Sequence, residues 1–291
     1  MPEEGIEEKK HGNILSYEDI IKIVRVGRKL GIKKVRLTGG EPLVRLNLAQ
    51  LVEGLSELGL EDISMTTNGL LLNDYAMDLK RAGLDRVNIS LDTLQEDKYK
   101  EITRRDHFQT VMKGIKAALS ARLLPVKLNV VVMEGINDDE ILDFARLSID
   151  QALHVRFIEY MPLGGGEVEG AEYMEMAQVK EIINEKYLLS PTKTAGNGPA
   201  RYYEIAEGKG RIGFISPISD HFCSECNRLR LTADGKIRPC LTKDIEVKLG
   251  QNLTDEIITK RFREALEKKA VRHNLSFNNE KPDRTMSQIG G

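Results

Sequence analysis

"KKVRLTGG", Lys33 to Gly40, decides how the first half of this chain is read. Its apolar residues and terminal glycines predict a short strand that ends in a tight turn. A helix is predicted just before it. Ser16 and Asp19 have the spacing of an N-cap and its acidic partner. Ile20, Ile23, Val24, Gly27 and Leu30 then fall on one helical face, and Gly31 ends the helix.

The helix-then-strand unit recurs. Predicted helices over residues 47–58, 73–82, 109–122 and 138–149 lead into "DISMTTNG", "RVNISLD", "VKLNVVVM" and "VRFIEYMP". Strands separated by helices of that length run parallel, joined by right-handed crossovers. A doubly wound sheet and an α/β barrel both satisfy this. The polar residues favour the barrel. Gly39-Gly40-Glu41, Thr66-Thr67-Asn68, Ser90 with Asp92, and Glu159 with Met161 fall at C-terminal strand ends, which converge on one site in a barrel. The expectation is an α/β fold, a partial (β/α) TIM-like barrel. The alternation opens with a helix, so the first strand is missing and "KVRLTG" has an unpaired flank.

After Pro162 the pattern changes. Residues 163–170, "LGGGEVEG", read as a linker or loop. A helix over 176–186 and two antiparallel strands, "RYYEI" and "GRIGFIS", come next. A hairpin turning at Asp234-Gly235, a helix over 255–269 and a polar tail ending Gly290-Gly291 follow. The division predicted is a partial barrel over 1–163 and a C-terminal α+β domain over 164–291.

The chain has 291 residues, 41% hydrophobic and 30% charged, with a net charge of −2. Nothing in that balance points to nucleic acid or a membrane. Residues 1–12 are charged, so no signal peptide is expected and a cytoplasmic, reducing compartment is.

All three cysteines lie in "FCSECNRLRLTADGKIRPCL", at C-x2-C-x13-C spacing. Cys223, Cys226 and Cys240 form most of a metal site. With His221 as a fourth ligand they would hold zinc. As three ligands of a 4Fe–4S cluster they would leave one iron open. Three unrelated buried thiols is the plainer alternative, and spacing does not choose between the metals. Arg228 and Arg230 alternate, so on a strand they share a face and suit a phosphate or carboxylate. Lys236 and Arg238 flank the same segment. Lys127 and Asn129 lie on one face of a strand otherwise reading "VVV", and inward polar groups need partners or a ligand. Glu41 is a candidate acceptor for an ammonium group.

"LTGGEP", "TTNG", "NISLD", "KLNVVVM" with "GIND", "VRFIEYMP", the "FCSECNRLRLTADGKIRPCL" segment and the terminal "IGG" occur in an order that resembles the MoaA family. These are radical S-adenosylmethionine enzymes, GTP 3′,8-cyclases of molybdenum cofactor biosynthesis. The resemblance covers nearly the whole chain. It implies two 4Fe–4S clusters at opposite mouths of a partial barrel. The N-terminal cluster would cleave S-adenosylmethionine to a radical that abstracts the 3′ hydrogen of GTP. The ribose carbon then attacks guanine C8. The C-terminal cluster, matched by Cys223, Cys226 and Cys240, would bind guanine at its open iron. By position Arg36, Thr66, Lys127, Arg228 and Arg230 match the GTP site. Gly40, Ser90 and Met161 match the S-adenosylmethionine site. Glu41 and Arg156 lie in matching motifs, and the Gly290-Gly291 tail resembles one that reaches into the active site. The resemblance also implies a homodimer and a downstream cyclic pyranopterin synthase-type partner.

One departure is large. The family's N-terminal C-x3-C-x2-C is absent from this sequence, which begins "MPEEG" where the family continues past its third cysteine. A misplaced start or a truncated gene explains this most simply. A shortened paralogue that binds GTP and one cluster without radical chemistry is the alternative, and a zinc-stabilised module is a third.

Overall fold

The computed structural model describes residues 14–161, 168–193, 198–270 and 284. The "MPEEG" start, residues 163–167 of the linker and the Gly290-Gly291 tail lie outside them.

Helix α1 (Tyr17–Lys29) carries the cap its sequence encodes. Ser16 Oγ accepts the Asp19 N–H at 3.1 Å, and the Asp19 carboxylate accepts the Ser16 N–H at 3.3 Å. Its apolar residues do not share one face, however. Ile23 and Val26 bury into a small core, whereas Ile20 and Val24 pack on the large one, and Leu30 is exposed. α1 is wedged between two cores, so it needs two apolar stripes.

Five parallel strands follow in chain order with no reversal among them: β1 (Lys34–Leu37), β2 (Asp62–Thr67), β3 (Arg86–Ser90), β4 (Val126–Val132) and β5 (Leu153–Glu159). The connecting helices are α2 (Leu48–Ser56), α3 (Leu72–Arg81), α4 (Glu96–Thr103), α5 (Phe108–Ser120) and α6 (Ile141–Asp150). α4 is additional to the predicted units. Its moderate amphipathicity buries only Tyr99, a weak periodic signal.

The sheet continues past residue 163. Helix α7 (Met176–Lys186) leads to β6 (Leu189–Thr192), β7 (Arg201–Ile205) and β8 (Arg211–Ile215). β8 adds parallel to β5, and β7 and β6 follow antiparallel, completing an eight-stranded, mostly parallel sheet. One core serves all of it, from Leu51 and Leu55 to Val179 and Phe214. Each fully buried aliphatic side chain contributes roughly 1.5–3 kcal/mol.

A three-stranded sheet stands apart: β9 (Arg230–Leu231), β10 (Lys236–Arg238) and β11 (Val247–Lys248). Gly235 turns the hairpin at φ +74°, a conformation costly for other residues. Helix α8 (Asp255–Glu267) covers this sheet, and Ile237, Val247, Ile258 and Phe262 form the small core with α1. The Leu15 N–H donates to Ala233 O at 2.8 Å, tying the hairpin to the start of α1.

Candidate functional site

Side chains alternate across a strand, and here the alternation sorts chemistry. The helix-facing rows are apolar: Ile63 and Met65, Val87 and Ile89, Leu128 and Val130, Val155 and Phe157. The opposite face is polar. Register aligns Arg36 with Ser64 and Ser64 with Arg86. It aligns Thr66 with Asn88, Asn88 with Lys127, Lys127 with His154 and His154 with Arg211. A third row runs Ser90, Asn129, Arg156, Gly213 and Tyr202. Arg36, Thr66 and Lys127 therefore share one surface. Ser64, Arg86, Asn88, His154 and Arg211 join them, and the same two-residue alternation marks them in the sequence.

This face is rich in cations and short of counter-charge. Asp62 bears on Arg36 and Lys127, but it is already committed to Arg86 by two bonds of 2.8 and 2.6 Å. Lys127 is brought down to about 7, first by burial and then by Arg156, Arg86 and Arg36. Its ammonium donates to the Tyr202 hydroxyl at 3.0 Å. Arg36, exposed by area but crowded, falls to about 10 through loss of water, Arg156, Arg86 and Arg228. His154 falls to about 4 from burial and the Lys127 charge, so it is neutral near pH 7. Arg156 is buried and donates to Asn129 Oδ1. Its pKa is lowered by burial, with Tyr202 opposing. Three buried polar atoms on this face have no partner: Arg86 Nη1, Asn88 Oδ1 and Arg156 Nε. Such atoms are rare in folded proteins.

The loops at the C-terminal strand ends are braced by carboxylates. Glu41 was a candidate ammonium acceptor, but its oxygens are taken by the Leu43 N–H at 3.0 Å, the Thr67 hydroxyl at 2.8 Å and the Asn68 N–H at 2.7 Å. It stitches the loop after β1 to the loop after β2. Glu140 accepts from Thr93 Oγ1 and the Leu94 N–H. Asn137 donates to Asp92 O and Val131 O, so the "GIND" segment pins the "SLD" segment. Asp92, raised to about 6 by burial, accepts the Val131 N–H. Glu159 is fully buried and holds the Ile218 and Ser219 N–H groups at 2.7 and 3.1 Å. Gly40, Ser90 and Met161 follow or end β1, β3 and β5 along this same edge of the sheet, Gly40 and Ser90 exposed and Met161 half-buried.

The cysteines lie on the two limbs of the hairpin segment. Cys223 and Cys226 bracket a 3-10 turn, and Cys240 follows β10; all three are free and half-buried. Burial raises the Cys226 thiol, but the Arg228 N–H, the Arg228 charge and Lys269 outweigh it and the pKa is lowered. Arg228 and Arg230 are not on one strand as expected, because β9 begins only at Arg230. The Arg228 guanidinium instead lies 5.2 Å from the centre of the Phe222 ring. Arg230 falls to about 10 through burial and Arg228, with Cys240 and Cys226 opposing. The Arg228 charge thus bears on both Arg36 of the sheet face and Arg230 of the cysteine segment. A cavity of about 210 Å³ opens between Pro199 and the Phe222, Cys226 and Arg228 side chains. A larger outer groove of about 770 Å³ between α1 and α8 is lined by charges of both signs, Lys29 and Asp255 pairing at 2.8 Å.

A single zinc ion draws its ligand atoms to about 2.0–2.3 Å from one point. Among the described residues, no three His, Cys, Asp or Glu side chains gather to hold a metal ion. A cluster spreads its ligands over several irons and does not ask for that convergence. Three thiols with Arg228, Arg230 and Lys269 beside them suit an iron–sulfur cluster as donors.

Residues 3–148 match the radical SAM superfamily, and residues 153–275 match the Molybdenum Cofactor Synthesis C family. The GTP 3′,8-cyclase of Petrotoga mobilis is 52% identical over 296 residues, spanning all of this chain and 92% of that protein. That of Moorella thermoacetica is 50% identical with the same coverage. Among solved structures, Streptococcus suis SuiB bound to S-adenosylmethionine aligns with a TM-score of 0.61 at 16% identity, over 86% of this chain and 57% of that one. That likeness is one of fold: a radical SAM α/β fold with a mostly parallel sheet. Identity of about half along its full length settles descent, and the chain belongs to the MoaA family of GTP 3′,8-cyclases, radical S-adenosylmethionine proteins of molybdenum cofactor biosynthesis.

Proposed function

We propose that this chain binds GTP between the polar sheet face and the cysteine segment, as the substrate for bond formation between ribose C3′ and guanine C8. One observation carries the reading: Arg36, Arg86, Lys127 and Arg156 crowd one sheet face, and Asp62, the carboxylate that bears on them, is already paired with Arg86. A triphosphate supplies the missing negative charge. Arg36, Thr66, Lys127, Arg228 and Arg230 would contact the nucleotide. Cys223, Cys226 and Cys240 would hold a 4Fe–4S cluster whose open iron seats the base. Gly40, Ser90 and Met161 would line an S-adenosylmethionine site. In this reading the large sheet is a partial barrel lacking its first strand that runs past residue 163 to β6–β8, and the cluster-binding unit is the small sheet with α8. A homodimer, a cytoplasmic setting and a downstream pyranopterin-forming enzyme belong to the same reading. No helix among the described residues is long and apolar enough to cross a membrane.

The family's second cluster and S-adenosylmethionine supply the radical that removes the 3′ hydrogen. That cluster requires C-x3-C-x2-C, and these 291 residues contain three cysteines in all, every one in the C-terminal segment. The residues present do not fit it. A second reading rests on the C-terminal cysteines alone: GTP and one cluster bound, without radical chemistry. Equilibrium dialysis of GTP against guanosine tests the site. GTP binding much more tightly than guanosine supports it, and equal binding refutes it. Release of 5′-deoxyadenosine by the reconstituted polypeptide would refute the second reading.

A further inference from the structure

Lys269 stands just beyond the end of α8, far in sequence from the hairpin it touches. Its ammonium donates to Arg228 O and Pro239 O, each at 2.8 Å, and lies 3.6 Å from Cys226 Sγ. An ammonium has three N–H donors, and all three are used here on the cysteine segment. No carboxylate among the described residues pairs with it. The acceptors belong to both cysteine-bearing limbs: Cys226 and Arg228 to one, Pro239, next to Cys240, to the other. The ladder joining those limbs is short, pairing only Leu231 with Ile237 and Arg230 with Arg238. The sulfurs lie beyond it, where no ladder bond fixes their separation.

We propose that Lys269 is the positioning residue of the cysteine segment. It straps the Cys226 limb to the Cys240 limb at the separation a cluster needs, and it donates to a ligating sulfur. The inference rests on the reading that these cysteines hold an iron–sulfur cluster. Outer-shell donors of this kind orient metal ligands and tune the potential of the centre.

The test uses the full 291-residue chain with Lys269→Met, which keeps length but loses charge and donors, and Lys269→Arg, which keeps both. Before loading, amide hydrogen exchange should rise over 226–230 and 236–240 in Lys269→Met and stay unchanged in the β1–β5 sheet. A rise spread across that sheet would mean general unfolding and would overturn a local role. After anaerobic loading with iron and sulfide, Lys269→Met should lose iron to a chelator about tenfold faster than the parent, the lower end of the cost of an outer-shell partner. Lys269→Arg should fall between. The cluster's midpoint potential should drop in Lys269→Met and be largely kept in Lys269→Arg, because a donor to sulfur favours the reduced cluster. Equal release rates and equal potentials overturn the inference. A parent chain that takes up no iron instead overturns the cluster assignment beneath it.

Discussion

Lys127 on β4 donates to the hydroxyl of Tyr202 on β7 at 3.0 Å, across two intervening strands and a sequence separation of 75. The reach exists because Gly213 on β8 has no side chain. Tyr202 pairs with Gly213 in register, and a Cβ there would stand 3.0 Å from the tyrosine ring and 3.2 Å from Arg156 Cγ. The cationic face is held in place by a phenol and a gap.

Lys127 makes nucleotide binding depend on pH. Its pKa in the folded chain is about 7, against 10.5 ordinarily. A bound polyanion favours the protonated form, so binding takes up a proton and GTP affinity falls as pH rises through 7. Calorimetry in buffers of different ionisation enthalpy should show that uptake, and Lys127→Met should remove most of it. The sign for stability is opposite. Without ligand, the unfolded chain holds the proton more tightly between about pH 7 and 10.5, so this group makes the fold more stable as pH rises across that window. A parent chain whose GTP affinity is flat from pH 6 to 8.5 contradicts the account.

Gly213→Ala should disturb the site through packing. Overfilling a close contact costs about 1–3 kcal/mol. The urea midpoint should fall with little change in slope, and GTP binding should weaken as Tyr202 and Arg156 are displaced. Unchanged affinity would show that their spacing is irrelevant.

Arg36 separates binding from folding. It lies on the outermost strand of the sheet with an exposed side chain, so Arg36→Ala should leave the unfolding free energy within about 0.5 kcal/mol of the parent. Loss of a charge-assisted contact to phosphate should cost about 1.5–3 kcal/mol of GTP affinity and leave guanosine affinity unaltered. Equal losses for both ligands would exclude a phosphate contact.

Glu41 is a brace, and its variants should read as stability. Glu41→Ala strands the Leu43 and Asn68 N–H groups and the Thr67 hydroxyl, at about 1–3 kcal/mol. Glu41→Gln keeps an acceptor and should lose less. A variant that unfolds at the parent's midpoint would mean water replaces the carboxylate without cost.

Much of this was legible in the residues. The five parallel strands follow from short apolar runs, two of them glycine-terminated, separated by helix-length segments. The shared face of Lys127 and Asn129 follows from period-two alternation, which extended to neighbouring strands also finds Ser64, Arg86, Asn88, His154 and Arg211. Other features depend on tertiary contacts that no local pattern carries. Tyr202 reaches Lys127 only because β8 and β7 join the large sheet rather than a separate one. Glu41 looks like a ligand-binding acid until Asn68 and Thr67 fold against it. Arg228 leaves the strand because the hairpin ladder stops at Arg230, and Lys269 reaches the cysteines from a helix they do not adjoin in sequence.

The most direct test is metal analysis of the anaerobically loaded 291-residue chain, with its electron paramagnetic resonance spectrum recorded after reduction by dithionite, with and without GTP. The account predicts about four irons per chain, loss of them in Cys226→Ala, and a spectrum that changes when GTP binds beside the open iron. One zinc per chain without iron, or an iron signal indifferent to saturating GTP, would contradict it.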